Sequence, residues 1–169
     1  MSARIPGKLV SLALAEVGVR EVPLGSNKGP RVNEYKGATS LNPAESWYWC
    51  AAFICWLVRE ALYALEIPQT KTFRRPVTAG AWDFIRWSKE QDSTTSTKMR
   101  PSWQDIEAGD ILVFDNVSHI GLCVKTPTSN TMQTVEGNAG DDEGRNGDGV
   151  YKKNTRKASN VRARIRFTV

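Results

Sequence analysis

Histidine occurs once and cysteine three times in these 169 residues, and the two scarcities remove several classes of function. One imidazole cannot build a histidine-rich metal centre, and no CxxC is present, so no zinc site is expected. An odd number of cysteines leaves a thiol over and argues against a disulfide framework. Cys50 and Cys55 would also project from widely separated angles of one helix, a poor arrangement for a bridge. No hydrophobic run approaches the length of a membrane span. Leu9 to Ala15 is apolar, but Pro6-Gly7 precede it and Glu16 follows. Leu9, Leu12, Ala13 and Val17 recur at the spacing of an amphipathic helix, so the segment reads as part of the fold and no secretory signal peptide is expected. Internal repeats and low-complexity linkers are missing too, which leaves one domain over residues 1–169, long enough to bury a core without staples.

Positive charge is in excess: the chain carries a formal +5 and has a pI near 9.2. Such a balance favours an anionic partner such as wall polymers, nucleic acid or a membrane surface. Past Asp148 no acidic residue follows, while Lys152, Lys153, Arg156, Lys157, Arg162, Arg164 and Arg166 remain. Strand alternation puts Arg162, Arg164 and Arg166 on one face. That face could dock phosphates, hold the chain on an anionic wall polymer, or simply be solvated, and the last is the expectation. A non-enzymatic binder of an anionic polymer through these strands is the alternative function. No nucleic-acid-binding module accompanies the basic residues, so no nucleic acid partner is expected.

The chemistry concentrates in Trp47 to Trp56, WYWCAAFICW. From Cys50 to about Leu65 the residues are apolar on nearly every side, the pattern of a helix enclosed by its own domain. Asn42 to Ser46 is turn chemistry with Ser46 as an N-cap, which puts Cys50 in the first helical turn. There the unpaired backbone N–H groups and the positive end of the helix dipole favour thiolate over thiol. Cys55 and Cys123 fit the ordinary role of cysteine as a small buried apolar side chain. Around this helix, Glu21 to Pro30 reads as a loop and Arg31 to Tyr35 as a short helical turn. Thr78 caps a helix reaching about Lys89, and Gln91 to Arg100 is a mobile surface excursion.

From Gly109 the hydrophobic period changes from helical to alternating. Strands are expected over Asp110–Phe114, His119–Lys125, Asn130–Glu136, Val150–Lys153 and Arg162–Val169. Turns lie at Asp115–Ser118 and Thr126–Ser129, and an acidic glycine-rich loop runs to Gly149. Helices first and hairpins later define the α+β class. If Lys125 and Asn130 flank a turn, partners across the ladder sum to about 255 and His119 stands opposite Glu136. Asn138, two residues on, projects on the same face. The sole imidazole thus gains two candidate orienting partners, Glu136 and Asn138, provided the register holds. Cysteine, histidine and a carboxylate or amide then form nucleophile, base and orienter.

Trp49-Cys50-Ala51-Ala52-Phe53, Gly109-Asp110-Ile111, Ser118-His119-Ile120-Gly121 and Val135-Glu136-Gly137-Asn138 resemble, in order and spacing, the signatures of the CHAP family. Its members are cysteine- and histidine-dependent amidohydrolases and peptidases of bacterial and phage cell-wall enzymes. Ala15 to Gly18, Glu21 to Pro23 and Gly25 to Asn27 look like the prophage or endolysin branch of that group. The resemblance implies a papain-like fold, a buried cysteine-bearing helix packed on a C-terminal antiparallel sheet. It also implies Cys50 as nucleophile, His119 as base, Glu136 or Asn138 as orienter, and peptidoglycan as substrate, with Trp47, Tyr48, Trp49 and Asn42 lining the groove. Papain-like enzymes often place a glutamine before the cysteine, and none precedes Cys50. The Cys50 N–H, aided by Tyr48 or Asn42, would serve the oxyanion instead. Some relatives bind calcium near the nucleophile. Here Ser40 to Ser46 offers only Glu45, and Asp141 to Asp148 does not follow the EF-hand order, so it reads as a mobile rim. No metal and no cofactor are expected. The chain is expected to be a monomer that reaches the wall through a holin pore or a secretion system, the latter paired with an immunity protein.

Overall fold

The computed structural model describes residues 4–115, 117–142, 144 and 146–169. Asn116 of the expected β-turn, and Glu143 and Arg145 of the expected acidic rim, lie outside the described residues. Among the described residues four helices come in order: α1 (Arg4–Glu16), α2 (Pro30–Lys36), α3 (Cys50–Ala64) and α4 (Asp83–Glu90). Six strands follow: β1 (Thr95–Met99), β2 (Ile111–Phe114), β3 (Ile120–Lys125), β4 (Thr131–Ala139), β5 (Gly149–Lys157) and β6 (Val161–Phe167). They form one antiparallel sheet in the order β1-β6-β2-β3-β4-β5. The α+β class is therefore as expected.

The all-round apolar sequence of α3 is matched by its surroundings. Ala51 through Val58, Ala61 and Leu62 are all buried, enclosed by α1, α2 and strands β3 and β4. Burying a side chain such as Phe53 completely stabilises the fold by roughly 1.5–3 kcal/mol. The main core combines α1 (Ile5, Leu9, Ala13), α3 and the helix-facing side of the sheet (Ile111, Val113, Ile120, Leu122, Val135, Ile165). Leu112, Phe114, Cys123 and Met132 turn to the opposite side and pack a smaller cluster with Ile106, Ala158 and Val161. Strand alternation explains the division, since neighbours along a strand point to opposite faces.

Four expectations about these elements need correction. Thr78 does not cap α4, which begins at Asp83 after Trp82 with no side-chain cap, and the Thr78 hydroxyl donates to the Asp83 carboxylate at 3.1 Å. Ser46 does not cap α3: the helix begins at Cys50 after Trp49 with no side-chain cap, and the Ser46 hydroxyl donates to the Ser26 carbonyl at 2.9 Å. The excursion from Gln91 to Arg100 contains β1, whose ladder with β6 runs from Thr95 opposite Phe167 to Met99 opposite Ala163. As an edge strand it lacks two buried faces and so carries a polar sequence. The basic face of β6 is not simply solvated either. Arg164 is buried, Arg166 forks onto Asp110 at 2.7 and 2.8 Å, and Arg162 binds Asp115 at 3.0 Å with its guanidinium 3.7 Å above the Trp82 ring. Acids contributed by β2 and its flanks occupy Arg162 and Arg166, the charges a polyanion would need.

Candidate active site

The site is assembled where the first turn of α3 meets the ends of β3 and β4. Close approach there depends on Gly137. A β-carbon at that position would lie 2.6 Å from Cβ of Phe53 and 2.9 Å from the Trp49 ring. Glycine lets the strand touch the helix start, and this brings Cys50 to the end of the sheet.

The ladder between β3 and β4 differs from expectation by two residues. Leu122 pairs with Val135 and Cys123 with Thr134, so in that register Gly121, not His119, stands across from Glu136. The error came chiefly from the turn, where Lys125 pairs with Gln133 and not with Asn130, a slip of three, of which the register shift between Cys123 and Lys125 takes one residue back. Bulges of this kind are invisible to a count from the turn. A shift of two preserves the face, however, and Glu136 still shares a side with His119. Gly121 supplies the space for it to reach across, because a β-carbon there would fall 2.7 Å from Cγ of Glu136.

His119 Nε2 and Glu136 Oε1 are 2.8 Å apart, with both side chains wholly buried. The other ring nitrogen, Nδ1, has no hydrogen-bond partner of ordinary geometry among the described residues. It is the nitrogen left for the sulfur. Cys50 is close enough to act on the ring both as a hydrogen-bonding neighbour and as a charge. Burial alone would push the imidazole pKa down, but Cys50 and Glu136 together outweigh it and raise it to about 9. For Glu136 burial pushes upward, and the hydrogen bonds and charges of His119 and Arg156 hold the carboxyl down to about 2. At neutral pH the ring is thus an imidazolium between a carboxylate and a sulfur.

Arg156, on β5, was read from sequence only as one of the basic tail. Its Nε donates to Glu136 Oε2 at 2.9 Å and its Nη2 to Oε1 at 2.6 Å. Thr134 Oγ1 donates to Oε2 at 2.5 Å. A signal for such a partner did exist in principle, since a buried carboxylate demands a cation and the next strand is basic. Which cation it would be was hidden by the register shift in the β4–β5 ladder between Met132 and Thr134.

The remaining expected residues divide. Asn138 is wholly buried at the end of β4 with φ of 52°, a left-handed conformation that asparagine tolerates better than most residues. The Nε2 atom of His119 stands 2.8 Å from Glu136 Oε1. Trp49 does not line a groove: it is fully buried, stacks on Tyr35 at 5.6 Å and donates its indole N–H to Glu21 Oε1 at 2.9 Å. Trp47 is half-buried and Tyr48 exposed, so both stand at the surface beside Cys50. Asn42 is exposed, with its side-chain oxygen accepting from the Ala44 N–H at 3.0 Å and its carbonyl from the Trp47 indole at 2.9 Å. The Cys50 N–H, at the first helical position, has no intrahelical acceptor and is available to a developing oxyanion.

A second residue that sequence reading missed is Lys36. It is fully buried, its ammonium donates to the carbonyls of Asn27 and Glu45, and it lies 4.9 Å from the centre of the Trp47 ring. Burial, with Lys28 nearby, pushes its pKa down. One cation thereby ties together the two loops that flank the approach to Cys50.

The family model for the CHAP domain matches residues 42–138, more than half of the chain and the span that carries Cys50, His119 and Glu136. The chain belongs to the CHAP domain family. Membership implies an amidase or peptidase activity of the peptidoglycan-hydrolase kind, dependent on cysteine and histidine, on a papain-like fold. The four helices packed on a six-stranded antiparallel sheet, with Cys50 opening the buried helix, agree with that fold. No curated protein and no solved structure matches the chain. Arg156 and the whole of β5 and β6 lie beyond the matched span.

Proposed function

We propose that this CHAP domain hydrolyses an amide bond of bacterial peptidoglycan through a Cys50 acyl-enzyme. The observation that carries the reading is the buried line Cys50, His119, Glu136, with the ring bonded to the carboxylate at 2.8 Å. Sγ of Cys50 attacks the carbonyl carbon, and the oxygen gathers charge near the Cys50 N–H. His119 then gives its proton to the departing nitrogen as the C–N bond breaks, while Glu136 keeps the ring aligned. Water next adds to the thioester, its proton passing to His119, and the carboxylic acid leaves as Sγ is released. Trp47, Tyr48 and Asn42 are the residues for the substrate groove. The bond is either the one between N-acetylmuramic acid and L-alanine or one within the stem peptide or cross-bridge.

The biological use follows from where such a bond lies. As part of the same reading, residues 1–169 act as one catalytic domain and as a monomer, in the prophage or endolysin branch. The enzyme is made in the cytoplasm and reaches the wall through a holin pore as a phage lysin, or is injected as an antibacterial effector against which an immunity protein protects. Mass spectrometry of purified peptidoglycan digested by wild type and by Cys50→Ala tests activity and identifies the bond together. Wild type should release fragments with new amino and carboxyl ends, and Cys50→Ala none. Undiminished release by the variant would overturn the assignment.

A further inference from the structure

Arg156 touches two of the side chains that surround His119, and it does so from outside the part of the chain that defines the family match. We propose that Arg156 is a positioning residue of this site, fixing the Glu136 carboxylate against His119 and, through Phe114, the plane of the imidazole. The inference rests on the reading of Cys50, His119 and Glu136 as the reacting group.

The first contact is the fork. Nε and Nη2 of Arg156 reach both oxygens of Glu136, and Oε1 also meets His119 Nε2. A planar guanidinium bonded at two points fixes the carboxylate plane as well as its charge, which a lysine cannot do. The second contact is a stack. The guanidinium carbon lies 4.7 Å from the centre of the Phe114 ring, and Phe114 stacks on His119 at 6.0 Å with 15° between the planes. Arg156, Phe114 and His119 thus form successive layers, and Glu136 links the outer two at their edges.

Charge explains why such a residue is needed. The charged and titratable groups meeting Glu136 are His119 just before β3, Arg156 from β5 and, beyond the ring, Cys50 from α3. Its ladder partner Tyr151 gives its hydroxyl to Asp148, and Lys153 is turned to the carbonyls of Gly140 and Asp142. With thiolate and imidazolium formed, the four side chains carry two positive and two negative charges. Without Arg156 a net negative charge stays buried, and protonation of Glu136 or of the sulfur is the easiest relief.

The test is the rate at which iodoacetamide alkylates Cys50 between pH 4 and 9, read by peptide mass spectrometry. It needs no substrate, so it separates this proposal from the question of what the enzyme cleaves. Cys55 and Cys123, both fully buried, should stay unmodified in the folded protein and so report any unfolding. In Arg156→Ala the acid limb of the pH profile should move upward by about one unit or more, a loss of about tenfold or greater on that limb. Added guanidinium chloride should restore part of the rate. Arg156→Lys, which keeps the charge and most of the stem, should fall between the two without needing rescue for folding. An Arg156→Lys profile identical to wild type would overturn the proposal, as would a folded Arg156→Ala with an unmoved acid limb. If the acid limb of wild-type Cys50 coincides with that of glutathione alkylated under the same conditions, the underlying reading of the site fails, and the variants cannot be blamed.

Discussion

Two carboxylates are buried in this sheet, each forked by an arginine from a neighbouring strand, and they behave in opposite ways. Asp110, just before β2, accepts two bonds from Arg166 and the N–H of Glu107, yet burial raises its pKa more than those partners lower it. Glu136 is more deeply buried still, and it is held to about 2. The difference lies in the third partner. Glu136 faces His119, which can become a cation and faces a sulfur in turn, whereas Asp110 faces only fixed donors and the more distant Arg164 at 4.0 Å. An arginine on a buried acid is therefore a clamp in both places. Only where a titratable ring stands between the acid and a thiol does the clamp serve chemistry.

The comparison breaks most sharply by removing each acid in turn. Glu136→Gln keeps the shape but loses the charge that supports the imidazolium, and turnover should fall by about 10²–10⁴-fold. Measured kcat on purified wall fragments checks this. Asp110→Ala takes the fork from Arg166, which keeps Glu107 at 3.1 Å and the Asp105 carbonyl at 3.0 Å, and should cost about 1.5–3 kcal/mol of stability, read as a lowered denaturant midpoint. Turnover per folded molecule should remain that of wild type. An Asp110→Ala variant that lost turnover per folded molecule, or a Glu136→Gln variant that kept it, would erase the distinction between the two clamps.

Smaller effects sharpen the same boundary between structure and chemistry. Trp49→Phe removes the donor to Glu21 and leaves a buried carboxylate oxygen unsatisfied, a cost of about 1–3 kcal/mol. Since Trp49 is enclosed, KM should not change, in contrast to Trp47→Ala at the surface. Smallest of all, Cys123→Ala removes a thiol bonded only to the Lys125 carbonyl at 3.2 Å. It should leave both turnover and the alkylation of Cys50 untouched.

Much of this was legible in the residues themselves. The run from Cys50 to Leu65 reads as an enclosed helix, because it is apolar on nearly every side and too long for a buried strand. The change of period at Gly109 marks the start of the hairpins, and the shared face of His119 and Glu136 survived a register error because the slip was an even number of residues. What escaped has physical reasons as well. β1 is an edge strand whose sequence, Thr-Ser-Thr-Lys-Met, carries no buried alternation. Arg156 reaches Glu136 only after a ladder irregularity that no turn-based count anticipates. Trp49 looked like a groove residue by its place beside Cys50, but at the residue before a helix a side chain can turn inward as readily as outward. Lys36 carries no sequence signal, because lysines are almost never buried and its partners are backbone carbonyls of two distant loops.

The pH behaviour follows from the direction of each shift. His119 is raised from its ordinary value of 6.5 to about 9, so the stability it contributes is complete below about 6.5 and is lost as pH rises through about 9. Glu136, depressed to about 2, contributes stability that is present above its ordinary range and is lost only as pH falls through about 2.

Because the chain has a single histidine, NMR titration of the ¹⁵N-labelled imidazole reports on this site with no ambiguity of assignment. In wild type the ring should stay an imidazolium until about pH 9, and in Cys50→Ala it should lose its proton at a distinctly lower pH. A ring that titrates at the same pH with and without the sulfur would show that Cys50 and His119 are not coupled, and would contradict the account at its centre.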